Sequence, residues 1–297
     1  MPIRIGNAPC SWGVEFAGDP RNPSWQRVLS ECADAGYTGI ELGPVGFMPE
    51  DPVELSEALD KHGLELIGGV VFRAFHDSDQ WEDVLDGAKR TCAALKAHGA
   101  KHFILIDSIS PRRAQTAGRA SDAEKMDTAE WTAYRDRLIH VARMGAEEYG
   151  LLPELHPHAG GFMDFEREID RFLSEVDSDV IKLCLDTGHS TYAGFDPVAF
   201  MKRHMDRITY VHFKSTDPSV KAQVIKNRTG FYDACGRGIF CTLEEGEVDL
   251  RAVRDLLVSV GFEGWCTVEQ DCDPKLNPDS LGDARKNREY LERIGFV

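Results

Sequence analysis

The segment DPVELSEALDKHGLELIGGVVF, residues 51–72, holds one complete helix–strand unit. Asp51 can accept the first free N–H groups of a helix, Pro52 suits the first helical position, where its missing N–H is not needed, and Gly63 can take the left-handed conformation that ends it. The run LELIGGVVF that follows is short, aliphatic and β-branched, which predicts a strand. A helix closed by Gly and followed at once by an apolar strand is the building unit of a parallel sheet.

The same unit repeats in both directions. Upstream, IRIGNAPC reads as a strand, WQRVLSECADAGY as a helix with Val28, Leu29, Cys32 and Ala33 on one face and Gly36 as its stop, and TGIELG as a second strand. Downstream come a helix over 81–98 ended by Gly99, the strand KHFILID, and the long helix AEWTAYRDRLIHVARMGAEEYG. The second half continues with LLPELHPH and a helix near 164–176, IKLCLDTGH and a helix near 197–205, ITYVHFKST, the helix DLRAVRDLLVSVGF, GWCTVEQD, and a closing helix in SLGDARKNREYLERIGF. Eight such units in order predict a single (β/α)8 TIM barrel occupying 1–297 as one domain. A doubly wound sheet would want a Gly-rich phosphate turn after an early strand, and GPVGFMPE does not supply one. Two polar, irregular stretches, 107–128 and 216–240, are expected to be loops covering the site.

With 42% hydrophobic and 28% charged residues the composition is that of a globular chain. The formal charge of -16, from 50 acidic and 34 basic residues, repels polyanions and argues against nucleic acid or an anionic membrane as a partner. A small neutral or cationic molecule is the easier ligand. MPIRIGNAPCSWG lacks a basic segment followed by an apolar core, and no run is long enough to span a membrane, so the expected location is cytoplasmic. The eight cysteines form no Cys-x-x-Cys pair and read as reduced, partly buried side chains. A homo-oligomer is the common outcome for such enzymes.

A barrel enzyme carries its chemistry at the C-terminal strand ends. Those ends present Glu41, Glu154 with His156 and His158, Asp186, His212 with Lys214, and Glu269 with Asp271. Alternation puts Glu154 and His156 on one face, as it does His212 and Lys214. Three carboxylates from neighbouring strands, Glu154, Asp186 and Glu269, would repel one another without a cation among them, and with His212 they make a set suited to Mn2+ that tolerates Mg2+, Co2+ or Zn2+. Glu41 either pairs with a neighbouring Lys or Arg or faces the substrate; His156 either contacts the substrate or orients a ligand; His158 and Asp271 read as solvated loop residues. Trp12 of SWG, with Phe72, either walls a sugar ring or packs as core.

The combination PELH, LDTGH, VHFK and TVEQD over nearly the whole chain resembles the sugar-isomerase-like, metal-dependent TIM-barrel superfamily. Within it APCSWG, the His-x-Lys pair, FYDACGRGIFCTLEEGEVDL and GWCTVEQDCDP look most like the inosose (2-keto-myo-inositol) dehydratases. The resemblance implies a divalent metal, commonly Mn2+, on Glu154, Asp186, His212 and Glu269, with His189 near the substrate and Lys214 near its carbonyl or departing hydroxyl. It implies a hydro-lyase acting on a keto-polyol such as scyllo-inosose through a metal-stabilised enolate, with Glu154 or Glu269 as base and His189 or Lys214 as proton donor. An isomerase or epimerase of a ketose or keto-inositol, or a lyase of 3-keto-sugar derivatives, shares the chemistry up to that enolate. Epimerases of the superfamily often carry an Arg where this chain has Asp217, which weakens the epimerase alternative.

Overall fold

The computed structural model describes residues 3–273 and 279–296. The two ends of the predicted 1–297 domain, and the Met1–Pro2 start of the segment inspected for a leader, lie outside the described residues. In chain order the elements are β1 Ile3–Asn7, α1 Trp25–Asp34, β2 Gly39–Glu41, α2 Pro52–His62, β3 Glu65–Arg73, α3 Trp81–His98, β4 His102–Asp107, α4 Pro111–Ala114, α5 Thr128–Tyr149 and β5 Leu152–Leu155. There follow α6 Glu166–Glu175, β6 Lys182–Asp186, α7 Thr187–Tyr192, α8 Pro197–His204, β7 Ile208–Phe213, β8 Ser215–Thr216, α9 Pro218–Lys226, α10 Phe231–Cys235, β9 Phe240–Cys241, α11 Leu250–Ser259, β10 Gly264–Val268 and α12 Ser280–Arg293.

Eight parallel strands close into a barrel in the order β1-β10-β7-β6-β5-β4-β3-β2, with β1 pairing β2. The predicted (β/α)8 architecture is the observed one. Asp51 caps α2 by accepting from the N–H groups of Val53 and Glu54, and Gly63 ends it at φ 64°. Outward-facing strand residues meet the helices in one large core that includes Leu29, Leu55, Phe103, Leu138, Phe172 and Val253. Inside the barrel Ile67, Ile104, Ile106, Cys184, Tyr210 and Trp265 form a plug, so the lumen is packed and only its upper mouth is free for chemistry. Gly39 makes room for that plug: a Cβ there would sit 2.7 Å from the Trp265 ring.

The two stretches expected to be loops differ from that expectation. Residues 216–240 contain α9, α10 and a two-stranded antiparallel ribbon, β8 with β9. Asp217 is a helix cap, accepting from the N–H groups of Ser219 and Val220. The first stretch carries α4, whose buried Arg113 makes paired bonds of 3.1 Å to both carboxylate oxygens of Glu168. A separate small core of Ala117, Tyr192, Val224, Phe231 and Phe240 packs the two excursions onto each other above the barrel.

Below that cover, Asp164 is buried; one oxygen accepts from the Gly160 N–H at 3.1 Å and the other has no partner. Burial pushes its pKa up to about 7. A carboxyl with a folded pKa above its unfolded value of about 4 binds an extra proton in the native state, so stability is lost as pH rises from about 4 to about 7. Asp164→Asn keeps an oxygen acceptor and removes the charge. It is expected to stabilise the protein by about 1–3 kcal/mol at pH 8 and much less at pH 5, read by calorimetric melting at the two pH values.

Candidate active site

β5, β6, β7 and β10 are neighbours in the barrel, and four side chains from their C-terminal ends converge. The donor atoms of His156, Asp186, His212 and Glu269 all lie within 4.8 Å of one another, and all four residues are buried. Neither ring nitrogen of His156 has a hydrogen-bond partner, while His212 faces Glu41 at 2.9 Å and Glu269 at 3.1 Å and Asp186 Oδ2 faces Lys214 at 3.3 Å. Unpartnered buried polar atoms each cost roughly 1–3 kcal/mol. The two unpartnered nitrogens of His156, beside a second imidazole and two carboxylates, fit a divalent cation.

Glu154 is not brought into this group; His156 stands where Glu154 was expected. Both face the lumen, but Glu154 pairs in register with Lys182, four residues before Asp186 on the adjacent strand. At about 3.3 Å per residue that leaves it well below the mouth. There it is fully buried and satisfied, with His102 Nδ1 at 3.0 Å from both oxygens and a 2.6 Å bond from the Thr209 hydroxyl. Thr209 is the extra residue of a register shift, since Leu183 pairs with Ile208 and Cys184 with Tyr210. Burial disfavours the His102 imidazolium, yet Glu154 outweighs it and holds the His102 pKa above the usual value.

Lys214 is buried beside the four. Its Nζ lies 3.3 Å from Asp186, 3.1 Å from Glu269 and 2.9 Å from Asp271. Burial opposes its charge, and these carboxylates more than compensate, raising its pKa well above an ordinary lysine. Burial likewise disfavours ionised Asp186, Glu269 and Asp271, while Lys214 and the neighbouring histidines hold all three well down in the ionised range. His189 Nε2 is 2.9 Å from Lys214 Nζ and 3.4 Å from Asp271. The Ala159 N–H donates to His189 Nδ1 at 3.3 Å, which assigns the ring proton to Nε2, facing Asp271. Asp271 Oδ2 therefore accepts from Lys214 Nζ at 2.9 Å and faces the His189 Nε2–H at 3.4 Å. Asp271, expected to be solvated, is a member of the site; its signal in the sequence was its place two residues beyond Glu269, on the same strand face.

Above these groups opens a cavity of about 360 Å³, lined by Glu41, Glu269, Asp271 and His158 at its inner end and by Phe72, Phe231 and Tyr232 on its walls. Among the described residues Glu41 pairs with neither Lys nor Arg: its Oε1 accepts from the Tyr210 hydroxyl at 2.8 Å and lies 2.9 Å from His212 Nε2. His158 is in the cavity wall between Phe72 and Phe231, at ring separations of 5.3 and 5.4 Å, and burial lowers its pKa. Lys214 and His189 do not line the cavity and meet it through Asp271. Trp12 is excluded from it: the ring is buried in the main core and its Nε1 donates to Glu31 on α1 at 2.7 Å, so the wall expected of Trp12 and Phe72 is built by Phe72 and Phe231.

Residues 29–294 match the family described as the xylose isomerase-like TIM barrel. The chain belongs to that family. It is 31% identical over 300 residues to inosose dehydratase of Geobacillus kaustophilus, an alignment covering 99% of this chain and 95% of that protein. It is 32% identical over 301 residues to the rhizopine catabolism protein MocC of Rhizobium meliloti, covering 99% and 89%. Among solved structures, the IOLI protein with a bound zinc atom superposes with a TM-score of 0.74 at 16% identity, covering 98% of each chain, a likeness of fold. Set among these relatives, the chain is an enzyme of the family.

The geometry separates Glu154 from His156 experimentally. His156→Ala is expected to weaken Mn2+ binding by at least about 100-fold in titration calorimetry, and Glu154→Gln by less than about tenfold while lowering the melting temperature. The reverse order would place Glu154 among the ligands.

Proposed function

We propose that the protein is a divalent-metal-dependent hydro-lyase, working as one barrel domain in the cytoplasm, that removes water from a cyclic keto-polyol such as scyllo-inosose. The observation that carries the reading is the buried convergence of His156, Asp186, His212 and Glu269, the last of which also lines a cavity whose inner end is rich in carboxylates. Near-full-length similarity to an inosose dehydratase supports it.

Those four residues would hold the metal. Mn2+ is the expected ion, and two imidazoles in the set bring Co2+ and Zn2+ within range while disfavouring Mg2+. When bound, the cation supplies Lewis-acid polarisation of a substrate carbonyl and so acidifies the adjacent C–H. Glu269, ionised and lining the cavity, removes that proton. Asp271 reaches the cavity with Lys214 and His189 behind it, and this trio returns a proton to the β-hydroxyl as it departs. Phe72 and Phe231 flank the C–H face of the ring and keep water from it. Net loss is one water, taken as the α-proton and the β-hydroxyl. Asp217 stands where the superfamily's epimerases often carry an Arg, which favours elimination over epimerisation of that type.

Incubation of the Mn2+-loaded protein with scyllo-inosose in D2O is expected to give a product lighter by one water, and Asp271→Asn to cut kcat by roughly 10²- to 10⁴-fold. Full activity after exhaustive chelation, or solvent deuterium entering a substrate that keeps all its oxygens, would overturn the reading.

A further inference from the structure

Among the described residues six carboxylates line the cavity, those of Glu15, Asp19, Glu41, Glu269, Asp271 and Asp273, against one cationic side chain, Arg21. Arg21 is itself committed, with its guanidinium 2.5 Å from Asp19 and 3.9 Å from Asp273. Counting Lys214 and a divalent metal against these and Asp186, the enclosed charge of the described residues remains negative. Two of the six have acceptor capacity left over. Glu41 is buried at the inner end, with Oε1 engaged by Tyr210 and Oε2 without any partner. At the outer end Glu15 accepts one hydrogen bond, 3.0 Å from the Tyr232 hydroxyl on α10. Burial, opposed by that bond and reinforced by Asp271, raises the Glu15 pKa to about 7, as it would for a carboxylate placed near other negative charge and waiting for a cation.

Resting on the reading of a keto-polyol site, we infer that this cavity is selective for polyols carrying a primary ammonium group, that Glu15 is the residue which receives the ammonium, and that phosphorylated or carboxylated sugars are excluded. The ring hydroxyls of such a ligand are donors that suit Glu41 Oε2. Its ammonium forms a charge-assisted bond to Glu15 in a partly desolvated rim, where such bonds are at their strongest. An anionic substituent in the same place meets several carboxylates and no uncommitted cation among the described residues.

Binding tests this without turnover, so its failure and that of the dehydratase reading are distinguishable. Titration calorimetry of the full chain, with and without Mn2+, uses three unreactive probes: myo-inositol, an amino-deoxy-inositol and an inositol monophosphate. The expected order is amine over neutral polyol by about tenfold or more, the value of one charge-assisted hydrogen bond, and neutral polyol over phosphate by a similar factor. Glu15→Gln should collapse the amine advantage to within about threefold, and Glu15→Asp should restore part of it. Equal binding of amine and neutral polyol, tighter binding of the phosphate, or an amine advantage that survives Glu15→Gln each overturns the inference. Should Glu15→Gln fail to fold, the ranking of the three probes on the unaltered protein still decides.

Discussion

One buried ammonium holds the mouth of this barrel together. Asp186 from β6 and Glu269 and Asp271 from the end of β10, the two strands that flank β7, lie within contact distance of Lys214 Nζ, and without that charge three ionised carboxylates would sit together in a medium of low dielectric, repelling and driving one another to protonate. The segment Asp186–His189 is shaped around the same lysine. Thr187 Oγ1 donates to the Lys214 carbonyl at 2.7 Å and accepts its N–H at 3.1 Å. Gly188 has no side chain because the lysine stem fills the space: a Cβ would lie 2.6 Å from Lys214 Cγ and 2.9 Å from its carbonyl carbon. Asp186 caps the short helix α7 through the His189 N–H at 2.7 Å. What reads in sequence as a strand ending in a Thr-Gly turn is the first turn of that helix, clamped to the next strand.

The barrel was legible because each of its units is punctuated locally. Asp51, Pro52 and Gly63 mark a helix without reference to any other part of the chain, and so do Gly99 and Gly150 at the ends of α3 and α5. The site was legible only to the precision of strand faces. Alternation places Glu154 and His156 on the same face and is silent on which is level with Asp186. That depends on register between β5 and β6, a long-range property fixed by how the strands tilt and close. A carboxylate also looked the better ligand by type, and the sequence carries no sign that His102 and Thr209 would claim it.

Trp12 and the 216–240 stretch show a second limit. A tryptophan just past the first strand could turn to the cavity or to the helices, and the deciding partner, Glu31, lies on the outer face of α1. The polar stretch had too little periodicity to reveal α9 and α10, because each is short and buries few residues: Val224 on one, Phe231 and Ala234 on the other. Their stability comes from the small core they form with Ala117 and Tyr192, so their conformation is tertiary in origin.

That division has a chemical consequence. The barrel strands supply the four convergent donors and Lys214, which in the proposed reaction would acidify a C–H beside a carbonyl whatever happens next. The excursions above supply Phe231, Tyr232 and Cys235 of the cavity wall, and His158 reaches them from the segment after β5 through its contact with Phe231. In the proposed reaction those walls would fix which substituent sits over Asp271, and so whether it leaves or merely inverts. On that reading a change of reaction on this scaffold would require rebuilding α10 and its small core, while the four convergent donors and the buried lysine could stay as they are.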